Sequence, residues 1–318
     1  QELIWSLDWS NFFFVPCRLK AMTLKEVSMN RRTFCTLLVF LLLSACAPTI
    51  TPMQQELSSK TMPMYEGRFS PIQTPVYLEY RPVAMKLAAQ LGIHKNVRDT
   101  DEFLSGELYG RLRVSPAGDS FLWEFRLENA VMGEEKISSG NSPLLEFRAR
   151  RDKQGATKDF EIAPVGMKIS SPEDKRLFEQ IRVLVVSQFR SFSAMLPAAP
   201  VQEGSLLLET DMSAALQAYE NLWGAPQCSP PKEKIGYAVR GLGSFKGRRV
   251  IVAVMEEDFV CTSRNERRYR FSQHGYALLD TETGQILEHK ALTTVKPFYS
   301  FDSIELRMLQ KFSGEILE

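Results

Sequence analysis

The sequence predicts an α+β protein, predominantly antiparallel β, with curved sheets of hairpins packed on one or two helices. Two similar halves are expected. Three observations carry that expectation. Apolar and polar residues alternate along several runs after Tyr65, the period of a half-buried strand. Short segments rich in Gly, Pro, Ser and Asp separate those runs and supply turns. Only the segment opening at Ser171 combines a cap, an early proline and a long apolar stripe at helical spacing.

In order along the chain, Met29-Asn30-Arg31-Arg32 is a short positive start and Phe34 to Leu43 an apolar run broken only by Cys35 and Thr36. Leu43-Ser44-Ala45 then sets small residues before Cys46. These are the three parts of a secretory signal. The apolar run is about half of the ~20 residues that a helix needs to cross a bilayer, so a permanent span is disfavoured. Residues 29–45 resemble the signal peptide of bacterial lipoproteins, with Leu43-Ser44-Ala45-Cys46 as its lipobox. The resemblance implies a diacylglyceryl group on the Cys46 thiol, cleavage before Cys46, and a further acyl chain on the freed amine. Each buried CH₂ contributes ~0.8 kcal/mol, so several chains anchor stably where one does not. In enterobacterial members of that class an aspartate after the cysteine retains the protein at the inner membrane. Ala47 stands there instead, which implies an outer-membrane address facing the periplasm. Residues 1–28 begin with Gln and have no helical or strand period. They are expected to be an over-extended reading frame, with Met29 the start and Met22 its competitor. Residues 46–63, acylated Cys46 followed by Thr, Pro, Gln, Ser and Met, read as a flexible tether.

The first half is assigned to residues 64–196. Val83 to Leu91 is a weak helical candidate. Gly106 to Val114, a turn at Ser115 to Asp119, and Phe121 to Leu127 form a hairpin. In its second strand Trp123, Phe125 and Leu127 line one face while Glu124 and Arg126 line the other. A helix is expected near 172–192. Ser171 is its cap, Pro172 opens its first turn, and Leu177, Ile181, Leu184, Val185 and Phe189 form one apolar stripe.

Leu196-Pro197-Ala198-Ala199-Pro200 marks the boundary with the second half, 197–318. Met212 to Trp223 is a weaker helix, stopped by Gly224 and Pro226. Gly236 to Arg240 pairs with Arg249 to Met255, and Tyr269 to Leu279 with Gln285 to Thr294 across an Asp280–Gly284 loop. Ser303 to Gln310 is a closing strand, with a helix the alternative. The run from Leu196 to Gly204 followed by meandering strands resembles the second half of uncharacterised β-rich periplasmic lipoproteins. Antiparallel sheet curled around helices is also the plan of the lipoprotein-carrier (Lol-type) fold. Both likenesses imply fold alone.

The 39 Lys+Arg against 38 Asp+Glu leave a net charge of +1, which argues against a nucleic-acid surface and against steering of anionic substrates. The clusters Arg148, Arg150, Arg151, Lys153 and Arg264, Arg267, Arg268, Arg270 read as solvated faces at hairpin turns. Five cysteines reduce to Cys228 and Cys261 once Cys17, Cys35 and Cys46 are set aside. An even pair in an oxidising compartment points to a disulfide, with two buried thiols the alternative.

Catalytic spacing is missing. Gly241 to Gly247 imitates a phosphate loop, but a β-rich run follows where the mechanism needs a helix N-terminus. His94, His274 and His289 form no zinc-ligand pair, and no serine lies in a GxSxG elbow. Glu256, Glu257 and Asp258 read as an exposed strand tip. Trp123, Phe125, Leu177, Ile181, Phe189 and Phe271 either line a cavity or, more in keeping with close packing, fill a core. The expectation is therefore a non-enzymatic, lipid-anchored envelope module without metal or cofactor. It would contact the membrane through its anchor and envelope proteins or lipid through its β domain. The alternative is a carrier or sensor holding an acyl chain in a half-barrel.

Overall fold

A computed structural model describes residues 52–58, 62–97, 100–132, 135–138, 142–153, 155–167, 169–172, 174–175, 178–179, 182, 196–211, 227–229, 234–262, 268–297 and 304–317. Cys46 and the signal resemblance lie outside them, as do the Met212–Trp223 candidate and the whole apolar stripe Leu177, Ile181, Leu184, Val185 and Phe189.

The described residues are essentially all-β. After α1 (Pro52–Ser58) come β1 (Phe69–Ser70), β2 (Val83–Val97), β3 (Thr100–Ala117), β4 (Ser120–Met132), β5 (Glu135–Ser138), β6 (Leu145–Arg151) and β7 (Thr157–Pro164). Then follow β8 (Leu206–Asp211), β9 (Gln227–Ser229), β10 (Lys234–Phe245), β11 (Arg248–Thr262), β12 (Arg268–Asp280), β13 (Ile286–Pro297) and β14 (Ile304–Ile316). All fourteen join one sheet in the order β1-β10-β11-β12-β13-β14-β2-β3-β4-β6-β7. Off that path, β5 pairs with β4, β8 with β10 and β9 with β11. The stretches 64–196 and 197–318 thus each supply an antiparallel meander. The two merge where the last strand, β14, pairs with β2 from Ile304↔Val97 to Ile316↔Met85.

The α+β expectation is corrected. Val83 to Leu91 is not a helix but the start of β2. Its Ala, Leu, Met, Lys and Gln favour helix, yet Met85, Leu87 and Ala89 also recur at period two. Pairing on both sides, to β3 and β14, satisfies the whole backbone and overrides propensity. The helix after Ser171 begins as its sequence predicts. Pro172, Asp174, Lys175, Phe178, Glu179 and Arg182 are helical. The Ser171 Oγ accepts from Asp174 N at 3.0 Å, and Asp174 Oδ2 accepts from Ser171 N at 2.9 Å, a reciprocal capping box. Phe178 enters the main core.

The β4 alternation holds. Val114, Trp123 and Ala149 lie opposite one another across β3, β4 and β6, as do Leu112, Phe125 and Phe147, and all six are buried in the main core. The other face of this meander is charged. Arg111–Glu128 (2.9 Å), Arg126–Glu146 (3.0 Å) and Arg148–Glu146 (3.1 Å) cross it, each exposed enough to add little to stability. One sheet face on the core and one in water is the antiparallel norm. The arginine cluster here needs correction: Arg148 is exposed, but Arg151 is only 6% exposed and lies 5.0 Å over the Trp123 ring. Alternation along β6 puts 145, 147, 149 and 151 on the core face, so Arg151 follows Phe147 inward.

Residues 62–82 form a strap that fixes the sheet's curl. β1 pairs with β10 at one edge, and Val76 and Val201 exchange backbone hydrogen bonds of 3.0 and 2.7 Å. Tyr80 N then donates to Lys153 O in the β6–β7 turn (3.0 Å), and Arg81 N to Thr283 O in the β12–β13 turn (3.2 Å). In a flat sheet β13 and β6, five steps apart in the strand order, would be about 24 Å apart. Two adjacent amides hold both turns, so the sheet must bend round to meet them. Gly284, at φ +69, takes the strap: a Cβ there would sit 2.8 Å from Glu79 O. The Tyr80 ring meets Trp123 edge-on at 4.8 Å, with both side chains buried. Trp123→Ala is expected to lower unfolding free energy by about 3–5 kcal/mol in urea titration. A loss below about 1 kcal/mol would show that this cluster does not hold the curl.

Candidate functional site

The hairpin glycines resolve the apparent phosphate loop. Gly241 and Gly243 lie inside β10, and the turn itself is Lys246-Gly247, at φ 48 and 80. Two residues of positive φ are what a tight two-residue hairpin requires. Gly241 is needed because the strap passes so close that a Cβ would collide with the Ser70 carbonyl.

The three histidines are far from a common site. His94 Nε2 is 2.9 Å from Asp101 Oδ1 and its ring stacks on Phe103 at 4.2 Å. The hydrogen bond from His94, seconded by Asn96, holds the Asp101 carboxyl below its ordinary pKa. His274 is half-buried, 4.0 Å from Asp258. His289 is buried and shares a 2.6 Å hydrogen bond with the Tyr237 hydroxyl. Glu256, Glu257 and Asp258 are not a strand tip: β11 runs on to Thr262, and Glu256 and Asp258 stand opposite His274 and Ser272. Glu256 accepts from Arg240 at 3.2 Å and Asp258 from Ser272. Among the described residues no group of three or more His, Cys, Asp or Glu converges for a metal. Of the second arginine cluster, Arg268 and Arg270 are exposed, and Arg264 and Arg267 lie outside the described residues.

Cys261 is buried and disulfide-bonded. The Cα of Cys228 in β9 stands directly opposite it in the β11 register, the spacing at which a cross-strand bridge closes. Trp123, Phe125 and Phe271 are packed core residues, not cavity walls. Leu177, Ile181 and Phe189 lie outside the described residues.

The sequence reading missed two neighbouring features. The first is a cleft of about 320 Å³ where the two meanders meet, lined by Ala88, Gln90, Tyr109, Glu288, Lys290 and Lys311 among others. Its wall mixes charged groups with the Tyr109, Tyr276 and Phe312 rings: Tyr109 donates to Glu107 at 2.6 Å, and Tyr276 donates to Glu288. Burial first, then Glu288, pushes the Tyr276 hydroxyl pKa up.

The second is the seat of α1. The stretch expected as a plain tether contains a docked helix. Met53 and Leu57 pack on Leu292 and Leu309, with Phe103 alongside, in a cluster separate from the main core. Gly92 makes room: a Cβ there would meet Met53 Cγ at 2.6 Å and Leu57 Cδ1 at 2.9 Å. Lys290 and Lys311 lie directly opposite one another on β13 and β14, a repulsive placement by itself. Glu56 bridges them, 3.1 Å from Lys290 Nζ and in contact with Lys311. Partial burial pushes the Glu56 carboxyl pKa up, but the two lysines together outweigh it and leave it low. Arg307, only 5% exposed, donates from Nη1 to the Leu57 carbonyl at 2.7 Å and so caps the helix C-terminus. A Met-x-x-Glu-Leu spacing was the available signal, too short to stand out among polar residues.

No family model and no curated protein matches this chain. Among solved structures it is similar to lipovitellin, described for its lipid–protein interactions, at 10% identity and TM-score 0.38 over 74% of this chain. The chain spans 25% of lipovitellin's length. It is also similar to a DUF1329 family protein from Desulfovibrio piger, at 10% identity and TM-score 0.20, covering 74% of this chain and 86% of that one. A putative outer membrane lipoprotein-sorting domain from Vibrio parahaemolyticus gives 13% identity and TM-score 0.17, covering 73% and 87%. Likenesses at TM-scores of 0.38 or less assign no ligand or activity to this chain.

Burial lowers the His289 pKa to about 4, against ~6.5 for the unfolded chain. The unfolded state therefore binds the proton first, and stability falls as pH drops from about 6.5 toward 4. His289→Gln, which keeps a partner for Tyr237, is expected to flatten that window in urea midpoints measured between pH 7 and 4. An unchanged slope would mean that His289 does not set it.

Proposed function

We propose that the chain is a bacterial envelope lipoprotein, acylated at Cys46, whose β body is a non-enzymatic binding or scaffold module on the periplasmic side of the outer membrane. The observation that carries the reading is the cross-strand placement of Cys228 against disulfide-bonded Cys261. A bridge of that kind persists in oxidising compartments, the side of the membrane to which the Met29–Cys46 signal would export the body. Signal and cysteine pair are independent features and agree on one compartment. The charged face of the first meander and the mixed polar and aromatic cleft offer surface for envelope proteins.

Expression from Met29 in a bacterial host fed alkyne-palmitate tests the anchor. The wild-type chain is expected to take the label and partition with membranes, and Cys46→Ser to lose both. Wild-type chain without label would overturn the anchor. The non-reduced, folded body is expected to weigh two daltons less than its reduced form. Cys261→Ser is expected to cost about 3–4 kcal/mol of unfolding free energy, as the chain-entropy model gives for a loop of this length. A stoichiometric lipid in an organic extract of the purified body would replace the scaffold reading by the carrier one.

A further inference from the structure

We propose that α1 is a latch that sets how far the β body stands from the membrane. The inference rests on the Cys46 anchor but is carried by the geometry of the seat. Five residues, 47–51, separate Cys46 from Pro52. Drawn out fully, they let the docked helix lie no more than about 20 Å from the anchoring cysteine. With α1 released, the free chain runs from Cys46 to Met62, and its limit rises to about 55 Å. Docking therefore decides between a body held against the bilayer, seat and lysine pair toward it, and one that ranges away.

The latch is built to have two states. A seven-residue helix is not stable alone in water, so α1 is helical only while docked, and docking and folding are one event. Its contacts are of three kinds on three strands. Met53 and Leu57, one turn apart, fill the hollow over Gly92 of β2. Glu56, between them, joins Lys290 of β13 to Lys311 of β14. Arg307 holds the Leu57 carbonyl. This is helix-in-groove recognition, with the chain's own tether as the helix. The seat's apolar cluster is separate from the main core, so release leaves that core unbroken. It does uncover two opposed lysines and an apolar hollow beside the 320 Å³ cleft, so an acidic amphipathic helix of a partner would compete with α1 for the same seat.

The test uses chain 46–318 coupled through Cys46 to a maleimide lipid in phosphatidylcholine vesicles, one lipid per chain checked by mass. Dansyl lipid in the same vesicles accepts energy from Trp123 and Trp223. Met53→Asp/Leu57→Asp abolishes docking without touching the sheet, and Gly92→Leu blocks the seat from the other side. Both are expected to lower transfer at least about twofold relative to wild type. Amides 55–58, whose N–H groups have helical partners, are expected to exchange at least about tenfold slower in the wild type than in either variant. Lys290→Glu/Lys311→Glu is expected to behave like the blocked seat, and Glu56→Lys added to it to restore protection. Wild-type amides exchanging at free-chain rates, or equal transfer in wild type and variants, would overturn the latch. Because the lipid is attached chemically, failure of native acylation would remove the biological anchor and leave this result standing. Failure of the latch would likewise leave the acyl label untouched.

Discussion

The pairing of β14 with β2 is the contact on which the rest of the architecture depends. It joins the last strand of the chain to its first long one, from Ile304↔Val97 to Ile316↔Met85, and turns two local meanders into one sheet. Every other long pairing is between neighbours in sequence and can form as a hairpin or short meander. This one closes a loop of some two hundred residues, and loop closure of that kind must be offset by many contacts formed together. Those contacts exist on both faces. Phe312 and Ala89 meet in the main core, while Leu309 stands opposite Gly92 under α1. α1 and the merged sheet therefore share a seam.

Curl follows from a second constraint laid over the first. Backbone amides of Tyr80 and Arg81 hold two turns that a flat sheet would separate widely, and Tyr80 is locked in turn by the Trp123 ring. The β12–β13 turn is itself rigid: Arg248 forks onto the fully buried Asp280 carboxylate at 3.0 Å through two nitrogens, and Thr283 caps that carboxylate from the other side. A charged pair so placed contributes through fixed geometry more than through raw attraction. The second meander is buried on both faces at this end: Ile251, Val252 and Ala253 are consecutive and all inaccessible. The first meander instead leaves one face charged. The two halves use the same connectivity to make surfaces of different chemistry.

Much of the fold was legible residue by residue. Trp123, Phe125 and Leu127 against Glu124 and Arg126, the Asp280–Gly284 loop, the Ser171 cap and the strand after Ser303 all appear where local pattern placed them, because each depends on neighbours in sequence. Val83 to Leu91 failed because its composition favours helix and its apolar period fits both forms; only the strands on either side decide. Arg151 failed because a charge in a basic cluster reads as surface unless the strand's phase is known. For the site, chemistry by spacing was legible only as missing patterns. The cleft and the seat draw on β2, β3, β12, β13 and β14, and no window of sequence contains them.

The sequence by itself determined the hairpins and the predominance of antiparallel strands. These are set by composition, period two and turn chemistry within short windows. Tertiary structure decided that the hairpins form one curled sheet, that Cys228 stands opposite Cys261, and that Pro52–Ser58 is a docked helix rather than loose chain. The reason is the same in each case. A seven-residue helix, a three-residue strand such as β9 or a strand made of helix-favouring residues has too few local contacts to stand alone. Each takes its conformation from a partner distant in sequence.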